Sequence, residues 1–147
     1  MDSLLLHRPR RLRRSPALRR LVRETRLSVD DLVMPLFVEE GTGVRTPIEA
    51  KPGQVRFSVD TLAEEARAVA DLGIPAVALF PALPDAKKGK TGTEGTNPDG
   101  LFPRAIRAVK EAAPELLVVS DVALDPYSSD GHDGSVRGGV VQNDETL

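Results

Sequence analysis

Cysteine is absent from the 147 residues. That excludes disulfides, a thiolate nucleophile and any cysteine-ligated zinc centre, and it fits a reducing compartment. Aromatic residues make up only 3% of the chain, so leucine, valine, alanine and isoleucine must fill the core. No apolar run approaches the length needed to cross a bilayer. The start, "MDSLLLHRPRRLRR", places its leucines before its charges and has no apolar stretch of signal-peptide length. Its richness in arginine and poverty in acid do suit an organellar transit peptide. The expected location is therefore the cytoplasm, with a plastid as the alternative. There is no strong excess of one charge: the net of −2 gives no general attraction to nucleic acid or membrane. Repeats and low-complexity tracts are also missing.

What is present is a globular composition, 40% hydrophobic and 29% charged, at a length of one ordinary domain. Charge is nevertheless unevenly placed. Nine arginines fall within residues 1–26, opposed only by Asp2 and Glu24, so the remainder is acidic. This basic arm has no interleaved aromatics for stacking on single strands, and the acidic remainder argues against nucleic acid as a partner. Pairing of its guanidiniums with carboxylates of a neighbouring subunit is the simpler reading.

Periodicity organises the rest. "SPALRRLVRET" reads as a short helix capped by Ser15, with Pro16 in its first position. Val33–Val38 is nearly all apolar, as for a strand covered on both faces. Residues 41–57 are rich in turn formers and read as a loop. In "SVDTLAEEARAVADLG", Leu62, Ala66, Val69 and Leu72 recur at helical spacing, with Ser58 to cap the start and Gly73 to end it. "IPAVALFP" is a second strand and residues 82–100 a long polar loop. "LFPRAIRAVKEAAP" puts Ile106, Val109 and Ala113 on one helical face and stops at Pro114. "ELLVVSDVAL" is a third strand, and Asn143 or Asp144 would cap a further helix. Alternating strands and helices imply a parallel sheet. Three strands make a poor complete α/β domain, so the N-terminal part of a (β/α)₈ TIM barrel is the expected fold, preceded by an extended N-terminal arm. The expected division is an arm and short helix over 1–26, then the first three βα units over 27–147.

Two local patterns imitate known sites. Gly89-Lys90-Thr91 resembles the end of a phosphate-binding loop, but Pro84 stands where the motif needs its first glycine. Ser128, His132 and Asp133 contain the residue types of a catalytic triad without a nucleophile elbow. The stretch "DVALDPYSSDGHDG", residues 121–134, carries more. Asp121 reads as lying within an apolar strand, where a carboxylate needs a partner such as a base, a metal or a substrate amine. Asp125 and Asp133 flank a turn built by Pro126, Gly131 and Gly134. Oxygen ligands there suit Mg²⁺ or a monovalent cation, and the alternative is a set of Asx-type turns in solvent.

That stretch resembles the metal-loop signature of the porphobilinogen synthase (5-aminolaevulinate dehydratase) family. "RLRRSPALRRLVRET", "MPLFVEEG", "KPGQVRFSVD", "LGIPAVALFP", "GTNPDGLFPRAI" and "GGVVQNDETL" resemble further blocks of the family in its order. The resemblance implies a TIM barrel, a homo-oligomer of dimers assembled to an octamer through the N-terminal arm, and condensation of two 5-aminolaevulinate molecules to porphobilinogen. Zinc-using members carry cysteines where this chain has Ala123, Asp125 and Asp133. The implied subclass is therefore aspartate-rich, using Mg²⁺ or a monovalent cation and not zinc. Asp121 matches the substrate-side carboxylate, Ser128 and Ser129 match hydroxyl residues of the loop, and Phe80 is expected at the mouth of the pocket. The two Schiff-base lysines, the carboxylate-binding arginines and the lid belong to later strands in the family. The chain by itself is thus expected to be inactive. A non-catalytic assembly partner of full-length subunits is the alternative.

Overall fold

The computed structural model describes residues 8–146. Pro9–Arg13 forms a 3₁₀ turn and Pro16–Leu21 a short helix, α1. Ser15 caps α1 as expected, its hydroxyl accepting from the Leu18 amide at 3.2 Å. The helix stops four residues short of Thr25, its expected end. Among the described residues, these two turns pack chiefly against each other.

Five strands form one sheet in the order β2-β3-β1-β4-β5. They are β1 (Val33–Glu39), β2 (Arg45–Pro47), β3 (Val55–Phe57), β4 (Ala76–Ala82) and β5 (Leu117–Ser120). β1 pairs in parallel with β4 along its whole length, Phe37 opposite Phe80, and β4 pairs in parallel with β5. The 41–57 segment is more than a loop. Its ends form β2 and β3, an antiparallel pair, and β3 extends the sheet in parallel beside β1. Each strand has only three residues, too few for alternation to show against the Gly- and Pro-rich turn between them.

Helices α2 (Val59–Asp71) and α3 (Leu101–Ala112) cover one face of the sheet. Leu36, Val38, Val77 and Leu79 from the strands meet Leu62, Ala66, Val69, Ala105 and Val109 from the helices, all buried. Ile106 is only partly buried against this cluster, and Leu72 is 69% exposed. Leu72 is the residue after the last helical turn of α2, where the chain leaves the buried face, and Gly73 at φ +78° ends the helix as expected. Ser58 occupies the cap position but does not cap with its side chain. Its hydroxyl accepts from the Val44 amide at 2.9 Å and bonds Thr61 Oγ1 at 3.2 Å, tying β2's approach to α2.

The other face of the sheet differs from expectation. β1 is covered on one side only, because the described residues place no layer over Val33, Pro35 and Phe37. The sheet stays open, with no barrel closure. A two-stranded ribbon, β6 (Val136–Arg137) with β7 (Val140–Val141), and one helical turn, α4 (Asn143–Thr146), complete the fold. Helix thus begins at Asn143 itself, so the two residues expected as candidate caps are the first two of the turn.

Candidate active site

β1, β4 and β5 run in parallel, so the segments that follow them emerge at one edge of the sheet. That edge collects Glu40, the polar loop 83–100 and the aspartate loop 121–135. β5 ends at Ser120, earlier than the apolar sequence suggested. Asp121 therefore stands just past the strand, half-buried, and not inside it. Its Oδ1 accepts from the Ala123 amide at 3.1 Å, which turns the chain out of the strand. The anticipated partner for a buried carboxylate is a local amide.

Asp121 lines a cleft of about 700 Å³ together with Thr91, Thr96, Phe102, Tyr127 and Arg137. Tyr127 is buried, and that burial raises its phenol above the ordinary range, helped by the negative charges of Asp121 and Glu94. Asp133 closes the loop across nine residues. Its Oδ1 accepts from the Leu124 amide at 3.0 Å and from the Asp125 amide at 3.2 Å. Asp125 is exposed as a residue, yet its carboxyl is raised above the ordinary range. Partial shielding from water comes first, then the like charges of Asp133 and Asp121. The three aspartates therefore share one electrostatic neighbourhood.

Other residues singled out in the sequence sit differently. Ser128 is buried, its Oγ accepting from the Asp130 amide at 3.2 Å, so its hydroxyl holds the turn. Ser129 is exposed and uses its amide, which donates to the Gly89 carbonyl at 3.1 Å. Phe80 lies on the open face of the sheet, stacked on Phe37 with ring centroids 5.5 Å apart, and does not border the Asp121 cleft. The structure thus brings Asp121, Asp125 and Asp133 together and keeps Phe80 apart from them.

None of the five lysines is a desolvated amine beside Asp121. Lys87 pairs with Glu40 at 2.8 Å, which raises its ammonium above the usual value. Lys88 pairs with Asp85 at 3.1 Å. Lys110 donates to the carbonyls of Pro114 and Leu116 at the end of α3. Lys51 sits 4.5 Å above the Phe37 ring, and Lys90 is outside the Asp121 cleft.

Sequence reading missed two features here. One is the ion cluster of Glu40 with Lys87 and Arg104, whose members lie 47 and 64 residues apart and so carry no spacing signal. The other is a parallel β-bridge between Gly89 and Ser128 that joins the two loops.

Donor chemistry limits the ions this site suits. The chain has no cysteine, and among the described residues no three His, Asp or Glu side chains converge on one point. A hard cation that keeps most of its water needs only one or two carboxylates, and Asp125 and Asp133 are the neighbouring pair in this loop.

An open parallel α/β sheet, with helices on one face and its polar loops at the carboxyl edge, is the arrangement of a barrel enzyme's first units. Comparison with known proteins gives the family. The family model described as Delta-aminolevulinic acid dehydratase matches residues 6–147. The chloroplastic Delta-aminolevulinic acid dehydratase of Glycine max is 53% identical over the whole of this chain, which covers 36% of the soybean protein. The Bradyrhizobium diazoefficiens protein of that name is 45% identical over 95% of this chain and 40% of its own length. The crystal structure of the Toxoplasma gondii ME49 enzyme, in complex with the reaction product porphobilinogen, superposes with a TM-score of 0.88 at 46% identity. It is covered over 40% of its length. The chain belongs to the delta-aminolevulinic acid dehydratase family and spans between a third and two fifths of these relatives.

Proposed function

We propose that the chain forms the aspartate-loop side of a porphobilinogen synthase, the enzyme that condenses two 5-aminolaevulinate molecules to porphobilinogen with loss of water. The observation that carries this reading is the placement of Asp121. It stands at the carboxyl edge of a parallel sheet, at the wall of a cleft large enough for small metabolites. There its carboxylate can bind the substrate ammonium or take a proton from it. Residues 1–26 serve as an arm and 27–147 as the first three βα units of the barrel.

Asp125 and Asp133 supply the cation side of the site, with Mg²⁺ or a monovalent ion in place of zinc. Such an ion would neutralise the crowded aspartates and polarise a substrate oxygen. Ser128 and Ser129 shape the loop through its backbone, and Phe80 faces the barrel interior. The condensation needs two amines that become Schiff bases, and such amines must be desolvated to be nucleophilic near neutral pH. None of the five lysines here lines the Asp121 cleft, and Lys87, Lys88 and Lys110 are engaged by other partners, so those amines are assigned to other strands of the barrel. The chain on its own is inactive in this reading. Borohydride reduction in the presence of 5-aminolaevulinate tests it. The expected result is an unchanged mass for this chain, and a reduced adduct on any of its lysines would overturn the assignment.

The arm supports assembly. Among the described residues none of its arginines forms an ion pair, and it exposes Leu12 and Leu21. Cations and leucines left open together suit an acidic, partly apolar surface of a neighbouring subunit, in dimers that build an octamer. The same feature favours the second reading, a non-catalytic partner of full-length subunits. Co-purification with a full-length enzyme without added activity would select it. The plant relatives are chloroplastic, and no helix among the described residues is long and apolar enough to cross a membrane. Cytoplasm or plastid is the location this reading requires.

A further inference from the structure

We propose that Glu40 is a positioning residue for the aspartate loop, acting through Lys87 and the Gly89–Ser128 bridge. The inference rests on the preceding reading only in taking the aspartate loop as the working part of the site.

Glu40 follows β1 directly and splits its carboxylate between two cations from different elements. Oε1 accepts from Lys87 Nζ at 2.8 Å and Oε2 from Arg104 Nη2 at 2.7 Å. Lys87 ends the 3₁₀ turn Asp85–Lys87 in the polar loop, and Arg104 lies on α3. Glu94 adds a second carboxylate 3.7 Å from Lys87. One glutamate thus ties the end of β1 to both the loop and the helix that follows it.

Two residues beyond Lys87 the chain meets the aspartate loop. The Gly89 amide donates to the Tyr127 carbonyl at 3.0 Å, and the Gly89 carbonyl accepts from the Ser129 amide at 3.1 Å. The same polar loop touches the aspartate loop twice more. Gly92, at φ +58°, lies so close to Leu124 that a Cβ there would stand 2.4 Å from Leu124 Cδ1. At Gly95 a Cβ would lie 3.4 Å from the Tyr127 ring. A loop of this glycine content has little stiffness of its own. Its shape comes from the ion cluster at one end and the bridge at the other. A partly exposed single ion pair is worth little, but a carboxylate shared by two cations fixes where the loop begins. Displacing Lys87 moves Gly89, and Gly89 carries Tyr127 and Ser129 with it.

Hydrogen exchange on the full chain tests this. Glu40→Gln and Lys87→Met are expected to speed exchange of the Gly89 and Ser129 amides by about tenfold, with α2 amides unchanged. The double variant is expected to go no further than either single one, because both break the same link. Lys87→Arg, which keeps the pair, is expected to retain the protection of the unaltered chain. Terbium provides a second readout. The chain has one tyrosine and no tryptophan, so terbium emission sensitised by the protein reports on Tyr127 alone. Its apparent affinity is expected to fall in Glu40→Gln and in Lys87→Met and to be unchanged in Lys87→Arg. Unchanged exchange at Gly89 and Ser129 would overturn the proposal. So would a parallel rise at α2, which would make the cluster a contributor to global stability only. An unaltered chain that gives no terbium emission counts against the cation-binding reading of the loop, and the exchange comparison still decides the positioning role.

Discussion

The two faces of the sheet behave as if they belonged to different proteins. On one, Leu36, Val38, Val77 and Leu79 are almost wholly buried beneath α2 and α3. On the other, Val33 is 51% exposed and Val119 52%, with Phe37 and Phe80 stacked in partial shelter. Yet the strands are apolar on both. In a two-layer protein the open face would be polar in alternation. Unbroken apolar strands with one naked face signal a sheet built to be enclosed, as the inner wall of a barrel is.

The largest expected effect tests the covered face. Leu79→Ala removes a fully buried side chain and is expected to cost on the order of 2–5 kcal/mol in urea unfolding, enough to unfold a marginal domain. Val119→Ala on the open face is expected to change stability by less than about 0.5 kcal/mol. Equal losses at the two positions would abolish the distinction between the faces.

Next comes association. An exposed apolar wall flanked by the free edge of β5 is an adhesive surface. The chain is expected to self-associate at micromolar concentration in sedimentation velocity, and Val119→Lys to shift it toward monomer. A monomer unaffected by that substitution would mean the open face is not adhesive.

Gly92→Ala sharpens the contrast at the carboxyl edge. It combines a positive φ with a collision against Leu124, and is expected to cost about 1–2 kcal/mol and to change Tyr127 fluorescence. Gly53→Ala has a positive φ but open space, so only the backbone penalty of about 1 kcal/mol is expected, without a fluorescence change.

The smallest effect is in pH. Lys87 and Arg104 hold the Glu40 carboxyl below its ordinary value of 4.5. A depressed acid stabilises the fold above its unfolded value and loses that contribution as pH falls through the folded one. Wild type is therefore expected to lose stability more steeply than Glu40→Gln below about pH 4.5, read as the difference between their acid unfolding curves. Coincident curves would show that the cluster does not contribute.

Legibility in the sequence followed the range of the interaction. Helical spacing located α2 and α3, the apolar runs located β1 and β4, and Ser15 with Pro16 located α1, because each depends on neighbours within a few residues. β2 and β3 escaped, being too short to show a period and defined by pairing with a distant strand. Asp121 was placed inside β5 because "DVAL" continues the apolar pattern, while Asp121 itself ends the strand by bonding the Ala123 amide. The aspartate loop stood out by composition. Nothing in composition could show that Asp133 would accept the Leu124 and Asp125 amides, or that Ser128 would turn inward. The Glu40 cluster and the Gly89–Ser128 bridge were beyond reach for the same reason: their partners meet only once the sheet has formed.

The most direct test of the central claim is a chimera in which this chain replaces the matching N-terminal third of the soybean relative. The account predicts porphobilinogen formation from 5-aminolaevulinate, lost by on the order of 100-fold or more in Asp121→Asn at unchanged thermal stability. A folded chimera that makes no porphobilinogen, or one in which Asp121→Asn is without effect, would contradict it.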